Sequence, residues 1–183
     1  VLISTFQQDA TGRLLVDGAD AVLQAGEYLN CGSDFSPSGA GSMDVRDGGT
    51  ATAVTILVGT NCVAAGDGTY EGGMHVYGRL EPGTETAGSL NIGSDLAVWP
   101  GGEVVFEVDS TSAGGFDAIN VNGSITLDPG STCTIVLPNA IDISALTTEP
   151  LLSGMMTAAT YVWGMPDVVV IDENGVVRDS VSA

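Results

Sequence analysis

The 183-residue chain contains no lysine, one histidine and four arginines, against 23 aspartate and glutamate side chains. Its formal net charge is therefore −19 at pH 7. Nucleic acids and anionic lipid surfaces are bound through clusters of Lys and Arg, so this composition argues against both as partners. No apolar run approaches the roughly 18 residues that a membrane-spanning helix requires. The excess of acidic side chains is typical of a well-solvated surface that resists aggregation.

Catalytic signatures are equally scarce. The single histidine, His75, alternates with Met74 and Val76 as a strand residue does, which favours a structural role over that of a general base. The chain has no Gly-x-Ser-x-Gly elbow, no Walker loop and no dinucleotide fingerprint. Glu107 and Asp109 are the one acidic pair at the two-residue spacing that places both on one face of a strand. We therefore predict that the protein is not an enzyme.

Aromatic residues are also few, at 5%, whereas 26 glycines accompany an apolar content of 44%. This mixture argues against disorder and favours one domain of many short strands joined by tight turns. The strongest pattern is a repeat, because residues 90–108 align without a gap onto residues 119–137. Seven apolar positions coincide, matching Leu90, Ile92, Leu96, Val98, Val104, Phe106 and Val108 to Ile119, Val121, Ile125, Leu127, Cys133, Ile135 and Leu137.

Within each copy, apolar residues alternate with polar or small ones, which is the period of a strand with one buried face. Each copy predicts three short strands, with breaks near Gly93 or Asn122 and at Pro100 or Pro129. Such a unit cannot bury its apolar face alone and must stack on a neighbour. We therefore predict an all-β fold, a right-handed parallel β-helix (β-solenoid) over residues 1–137 with degenerate flanking coils. A β-sandwich with similar strand patterns is the alternative.

Three Pro-Gly pairs each follow an apolar residue at the same spacing. Proline presets φ, and glycine permits the left-handed position of a turn. We predict that the pairs at Pro82, Pro100 and Pro129 turn the same corner in successive coils.

The alternation stops after Pro138. Residues 142–160 could hold a short helix, and Asn174-Gly175 predicts the turn of a β-hairpin. We predict that residues 138–183 form a C-terminal cap or a strand-exchange tail, since an uncapped sheet edge invites partner strands. The apolar hairpin residues predicted to mediate self-association are Val168, Val170, Val176 and Val177.

The three cysteines lack the spacing of a zinc site. Cys133 takes the repeat position of Val104, so we expect a buried thiol there. Cys31 and Cys62 both lie beside turn residues and are left as a possible disulfide, which an extracellular location would favour.

Three segments carry a family resemblance: residues 88–96 (GSLNIGSDL), 100–108 (PGGEVVFEV) and 116–127 (FDAINVNGSITL). Through them, residues 88–137 resemble the β-strand repeats of autotransporter passengers and related bacterial surface proteins. The resemblance implies a secreted right-handed parallel β-helix that is displayed as an adhesin, a surface coat or a spacer.

Two ligand classes are open to such a surface. Acidic loops offer the oxygen ligands that calcium prefers, although no EF-hand loop is present, and no other cofactor is predicted. The candidate calcium ligands are Asp44, Asp47, Asp67, Glu107 and Asp109. Trp99 is placed outward by the alternation and is the candidate contact for a glycan.

These observations together predict a secreted structural protein at the cell surface or outside the cell. It would self-assemble as a homo-polymer into a filament, sheath or surface layer. The alternative is an adhesive or carbohydrate-binding passenger module of a larger surface protein, with a glycan as its partner.

Overall fold

The computed structural model of the chain describes residues 11–32, 40–83, 87–110, 115–138, 155–163 and 166–181, and most of these residues lie in β-strands. In chain order the strands are β1 (Thr11–Asp17), β2 (Val22–Gln24), β3 (Tyr28–Cys31), β4 (Ala40–Arg46), β5 (Thr50–Val58), β6 (Cys62–Gly66), β7 (Thr69–Val76), β8 (Arg79–Pro82), β9 (Ser89–Ile92), β10 (Leu96–Val98), β11 (Glu103–Glu107), β12 (Ala118–Leu127), β13 (Thr132–Leu137), β14 (Met156–Trp163), β15 (Asp167–Asp172) and β16 (Val177–Val181).

The strands belong to two sheets between which the chain alternates. Sheet A contains β2, β3, β5, β7, β9, β10, β12 and β14, and sheet B contains β1, β4, β6, β8, β11, β13, β15 and β16. All pairings between described strands are parallel except that of β15 with β16. The fold is therefore all-β with parallel-strand sheets, whereas an immunoglobulin-type sandwich is antiparallel.

The inward side chains of both sheets form one apolar core. Alternate residues are buried along many of the central strands, as the two-residue period requires, and Leu29, Met43, Ile56, Leu80 and Phe106 are among those fully enclosed. The side chains that point away from this core form the outer faces of the two sheets, and these outer faces carry the polar and charged groups.

The 29-residue repeat predicts the strand register correctly. Val98 lies opposite Leu127 in sheet A, and Phe106 lies opposite Ile135 in sheet B. The repeated asparagine is also aligned, since Asn120 Nδ2 donates to Asn91 Oδ1 at 3.2 Å. The three predicted strands are present in the first copy as β9, β10 and β11. In the second copy β12 runs through the predicted break with only a register shift between its two halves.

The prediction for the Pro-Gly pairs is correct for two of the three. Pro100 and Pro129 both follow strands of sheet A, and Gly101 and Gly130 have the same φ of 85°. Pro82 instead ends β8 in sheet B, so its pair turns the opposite corner. Its glycine still has φ 84°, because the local turn chemistry is the same wherever the corner lies.

The C-terminal region continues both sheets before it reverses. β14 pairs in parallel with β12, and β15 with β13. The predicted helix is therefore wrong for residues 156–160, which belong to β14, while residues 142–154 lie outside the described part of the chain. The predicted hairpin is confirmed: β15 and β16 are antiparallel, and Gly175 N donates to Asp172 O at 2.8 Å in the turn.

The backbone of Gly66 lies very close to the neighbouring strand, so a substitution at this glycine tests the packing. Its φ is +119°, and a Cβ there would overlap the carbonyl oxygen of Val45. We expect Gly66→Ala to lower the free energy of unfolding by about 2–4 kcal/mol in urea denaturation. Gly26→Ala is the matched control, because a Cβ at Gly26 meets no atom within 4 Å, and it should change stability by less than about 0.5 kcal/mol. Equal stabilities of the two variants would contradict the described packing.

Candidate functional site

The outer face of sheet B is a ladder of paired charges. Asp44 on β4 lies between two arginines, 3.5 Å from Arg13 and 3.3 Å from Arg46. Arg46 also approaches Asp17 of β1 at 3.7 Å. Two arginines thus neutralise Asp44, so this predicted calcium ligand already has cationic partners.

A second charged group lies further along the same face. Arg79 on β8 is 2.5 Å from Glu81 and 3.8 Å from Glu103 of β11, and Thr134 Oγ1 donates to Glu103 Oε1 at 2.5 Å. A groove of about 220 Å³ runs between the two charged groups. Its lining includes Arg46, Arg79, Glu81, Glu107 and Asp117. A groove that carries both signs of charge suits a polar ligand rather than an apolar one.

Asp117 is the one buried carboxyl among the described residues. Its Oδ1 accepts a hydrogen bond from Gly88 N at 2.9 Å, and its Oδ2 accepts one from Glu107 N at 2.8 Å. Burial nevertheless raises its pKa to about 6, against the lowering effect of these two bonds. The side chain therefore fastens the start of β12 to β9 and β11, a role that the sequence does not signal.

The other predicted calcium ligands divide between two places. Asp47 N donates to Asp67 Oδ1 at 2.8 Å, and a hydrogen bond with Asp17 raises the pKa of Asp47, assisted by the negative charges of Asp17 and Asp67. Glu107 lines the groove, and Asp109 Oδ2 accepts a hydrogen bond from Ala87 N at 2.9 Å.

The predicted ligands thus do not converge on one centre. Within the described ranges, no group of three or more His, Cys, Asp or Glu side chains is placed to hold a metal ion. Asp17, Asp47 and Asp67 lie near one another at the ends of three neighbouring strands of sheet B. Arg46, 3.7 Å from Asp17, partly offsets the repulsion among their charges.

Trp99 belongs to an aromatic cluster on the outer face of sheet A. Its ring stacks on Tyr77 with centroids 5.7 Å apart and planes 4° from parallel, and on His75 at 6.0 Å. The indole Nε1 donates to His75 Nδ1 at 3.1 Å. The three side chains are half-buried, as the outward position predicted for Trp99 allows. The partners of Trp99 were missed because they come from a distant segment of the chain, with His75 on β7 and Tyr77 just after it.

All three cysteines are buried and free, so the possible disulfide is not formed in this structure. Cys133 is buried, and desolvation raises its pKa to about 12. Cys31 and Cys62 are buried free thiols, and their side chains hydrogen-bond to each other. The fold therefore brings together the two cysteines named as a possible disulfide.

The four valines predicted for self-association separate into two pairs. Val170 is buried and Val168 packs against the same core, so both serve the interior of the protein. Val176 and Val177 are 59% and 60% exposed at the hairpin. Of the four predicted residues, only Val176 and Val177 are therefore exposed enough to contact another copy of the chain.

The raised pKa of Asp117 predicts a pH-dependent stability. A folded-state pKa near 6, above the ordinary 3.8, means that the folded protein binds this proton more tightly than the unfolded chain. The associated stability is complete below about pH 4 and is lost as pH rises through 6, to a total of at most about 3 kcal/mol. We expect urea denaturation to show a steeper fall in unfolding free energy between pH 5 and 7 for the wild type than for Asp117→Asn.

The control for this test is Asp20→Asn, which removes an exposed carboxylate. Acidification relieves repulsion among all acidic side chains, so only the difference between variants is informative. Asp20→Asn should follow the wild-type slope. Parallel curves for the wild type and Asp117→Asn would show that Asp117 does not titrate in this range.

Among the described residues, no helix has the length and apolar character needed to cross a membrane. No family model, no curated protein and no solved structure matches this chain. The function proposed below therefore rests on the arrangement of its residues.

Proposed function

We propose that the chain is a secreted structural subunit built on a right-handed parallel β-helix, and that it assembles head to tail into an extracellular filament, sheath or surface layer. The carrying observation is the distribution of exposed apolar side chains. In the described part of the chain, the large ones lie only near the two ends of the strand stack. They are Leu15, Val22, Tyr28, Val54, Val176 and Val177.

The β-helix is supported by the order in which the chain visits its sheets. From β1 to β15 it alternates between sheet B and sheet A, and each strand lies parallel to one in the following pass. Connections between parallel strands of one sheet are right-handed in nearly all proteins, which gives the proposed hand. The resemblance of residues 88–137 to autotransporter passenger repeats points to the same architecture and to a place outside the cell.

The two ends of the stack offer what a head-to-tail contact needs. Among the described strands, β1 pairs only with β4, so its other edge can accept a further strand, and Leu15 on this strand is 45% exposed. At the other end, β16 carries Val177 beside the exposed Val176. Because the two surfaces differ, such a contact is not self-complementary and propagates into an open polymer.

The charge of the protein sets the conditions for this contact. A subunit with a net charge of −19 repels its copies. Salt screens this repulsion, with a screening length of about 10 Å at 0.1 M ionic strength. The three arginines on the outer face of sheet B are engaged with carboxylates of their own chain. Assembly should therefore strengthen as ionic strength rises, which is the opposite of a contact held by salt bridges between subunits.

Charge substitutions at each end test the proposal. Val176→Asp with Val177→Asp should remove the tail contact, and Leu15→Asp with Val22→Asp should remove the head contact. Each double variant alone should sediment as a monomer at a salt concentration where the wild type forms polymers in analytical ultracentrifugation. An equimolar mixture of the two should give dimers, because one intact head meets one intact tail.

Ser89→Asp with Ala97→Asp is the matched control for the same added charge. Both residues lie on the outer face of sheet A, away from the two ends. This control should polymerise like the wild type at slightly higher salt. A wild-type protein that stays monomeric at all salt concentrations would refute the filament role.

A glycan-binding adhesive module is the second candidate, and the aromatic cluster favours it. Sugar rings bind to aromatic surfaces with polar groups nearby, and Trp99, Tyr77 and His75 supply both on one exposed face. If this role is correct, Trp99→Ala should abolish binding on a glycan array, while Val54→Ala on the same sheet should leave it unchanged. Equal signals from Trp99→Ala and the wild type would exclude the cluster as the binding surface.

A further inference from the structure

Cys31 and Cys62 meet at a corner between the two sheets. Cys31 ends β3 in sheet A, and Cys62 begins β6 in sheet B. Their exposed fractions are 0% and 2%, and the two thiols hydrogen-bond to each other. Two cysteines that are 31 positions apart in the chain thus share one enclosed site.

Two glycines leave the space that this pair occupies. A Cβ on Gly41 would stand 2.7 Å from the Sγ of Cys31 and 3.4 Å from the Sγ of Cys62. A Cβ on Gly32 would stand 2.6 Å from the Sγ of Cys62. Both sulfurs therefore lie close to the place that a Cβ of Gly41 would occupy. A side chain at Gly41 or at Gly32 would displace them.

The two thiols are chemically unequal. The hydrogen bond from Cys31 lowers the pKa of Cys62, and the backbone amides of Gly41 and Gly59 add to this effect against desolvation. The same hydrogen bond raises the pKa of Cys31, together with burial and the negative charge on Cys62. Cys62 is thus the sulfur that more readily carries the negative charge, and a thiolate is the nucleophile of disulfide exchange.

A surface depression gives access to this site. It is lined by residues of β1 and β4, including Gly41, by Val63 of β6 and by Asn61, which precedes β6. Gly41 is half-buried there, and the two sulfurs lie directly behind it. A small opening at this glycine would expose Cys62 without unfolding the sheets.

We propose that Cys31 and Cys62 are a covalent modification site, at which a low-molecular-weight or protein disulfide oxidises them to an intramolecular disulfide that ties β3 to β6. With oxidised glutathione, the Cys62 thiolate attacks one sulfur and expels one glutathione thiolate, leaving a mixed disulfide. Cys31 then loses its proton, and its sulfur attacks the Cys62 sulfur and displaces the second glutathione thiolate. Two electrons pass to the co-reactant, and the two released protons go to the glutathione thiolates.

The disulfide would stabilise the first strands of the stack. It closes a loop that contains β4 and β5, the strands on which β1, β2 and β3 pack. Closing a loop of this length should raise the Tm by roughly 10 °C in a protein of this size. This modification does not depend on the filament role.

The experiment incubates the full chain in buffers of oxidised and reduced glutathione, blocks free thiols with N-ethylmaleimide under denaturing conditions, and maps peptides by mass spectrometry without reduction. We expect a cross-linked peptide that joins Cys31 to Cys62, with Cys133 alkylated. The oxidised protein should melt roughly 10 °C above the reduced protein, and Cys133→Ser should keep this difference. Cys31→Ser and Cys62→Ser should lose it.

Two glycine variants distinguish a specific effect at the cysteine pair from a general loss of folding. Gly41→Ala should slow the formation of the cross-linked peptide, because its Cβ occupies the place of the sulfurs. Gly26→Ala has open space around it and should leave the rate unchanged. Alkylation of both Cys31 and Cys62 after oxidation, or a cross-link from either one to Cys133 or to a second chain, would overturn the proposal.

Discussion

Burial of the inward rows between the two sheets is the interaction on which the whole structure depends. A single pair of strands would leave its apolar face exposed to water. Here the facing sheet and the neighbouring strands bury that face. A fully buried Leu, Ile or Phe contributes roughly 1.5–3 kcal/mol relative to an exposed one, and these residues are aligned across the parallel strands. Close approaches such as that of Gly66 to Val45 follow from the same tight stacking.

The outer faces are free of this constraint, and the two sheets use them differently. Sheet B carries Arg13, Arg46 and Arg79 among carboxylates, and each of these arginines forms an ion pair within the chain. Sheet A carries the stacked cluster of Trp99 and Tyr77, which offers flat aromatic surface instead. The proposed head-to-tail contacts between subunits use neither the ion pairs of sheet B nor the aromatic cluster of sheet A, because the exposed apolar side chains lie near the ends of the strand stack.

The repeat made much of the fold predictable. Alternation with an offset of 29 residues determines which side chains stack, and the hairpin follows from Asn174-Gly175. Elsewhere the offset varies: Val63 pairs with Arg79, sixteen positions later, so no repeat signal reveals those neighbours. Pro82-Gly83 signals a turn but not which corner. The burial of Asp117 and the partners of Trp99 depend on contacts between distant segments, which local patterns do not encode.

The reversal of direction in the last hairpin has a geometric consequence for any fibre of this protein. β1 and β15 run the same way in sheet B, and β16 runs against them. If successive copies keep one orientation, the first strand of each copy meets an antiparallel neighbour at the junction. A fibre would then show one antiparallel strand per subunit, paired antiparallel on both sides in an otherwise parallel sheet, and that strand would mark the subunit length along its axis.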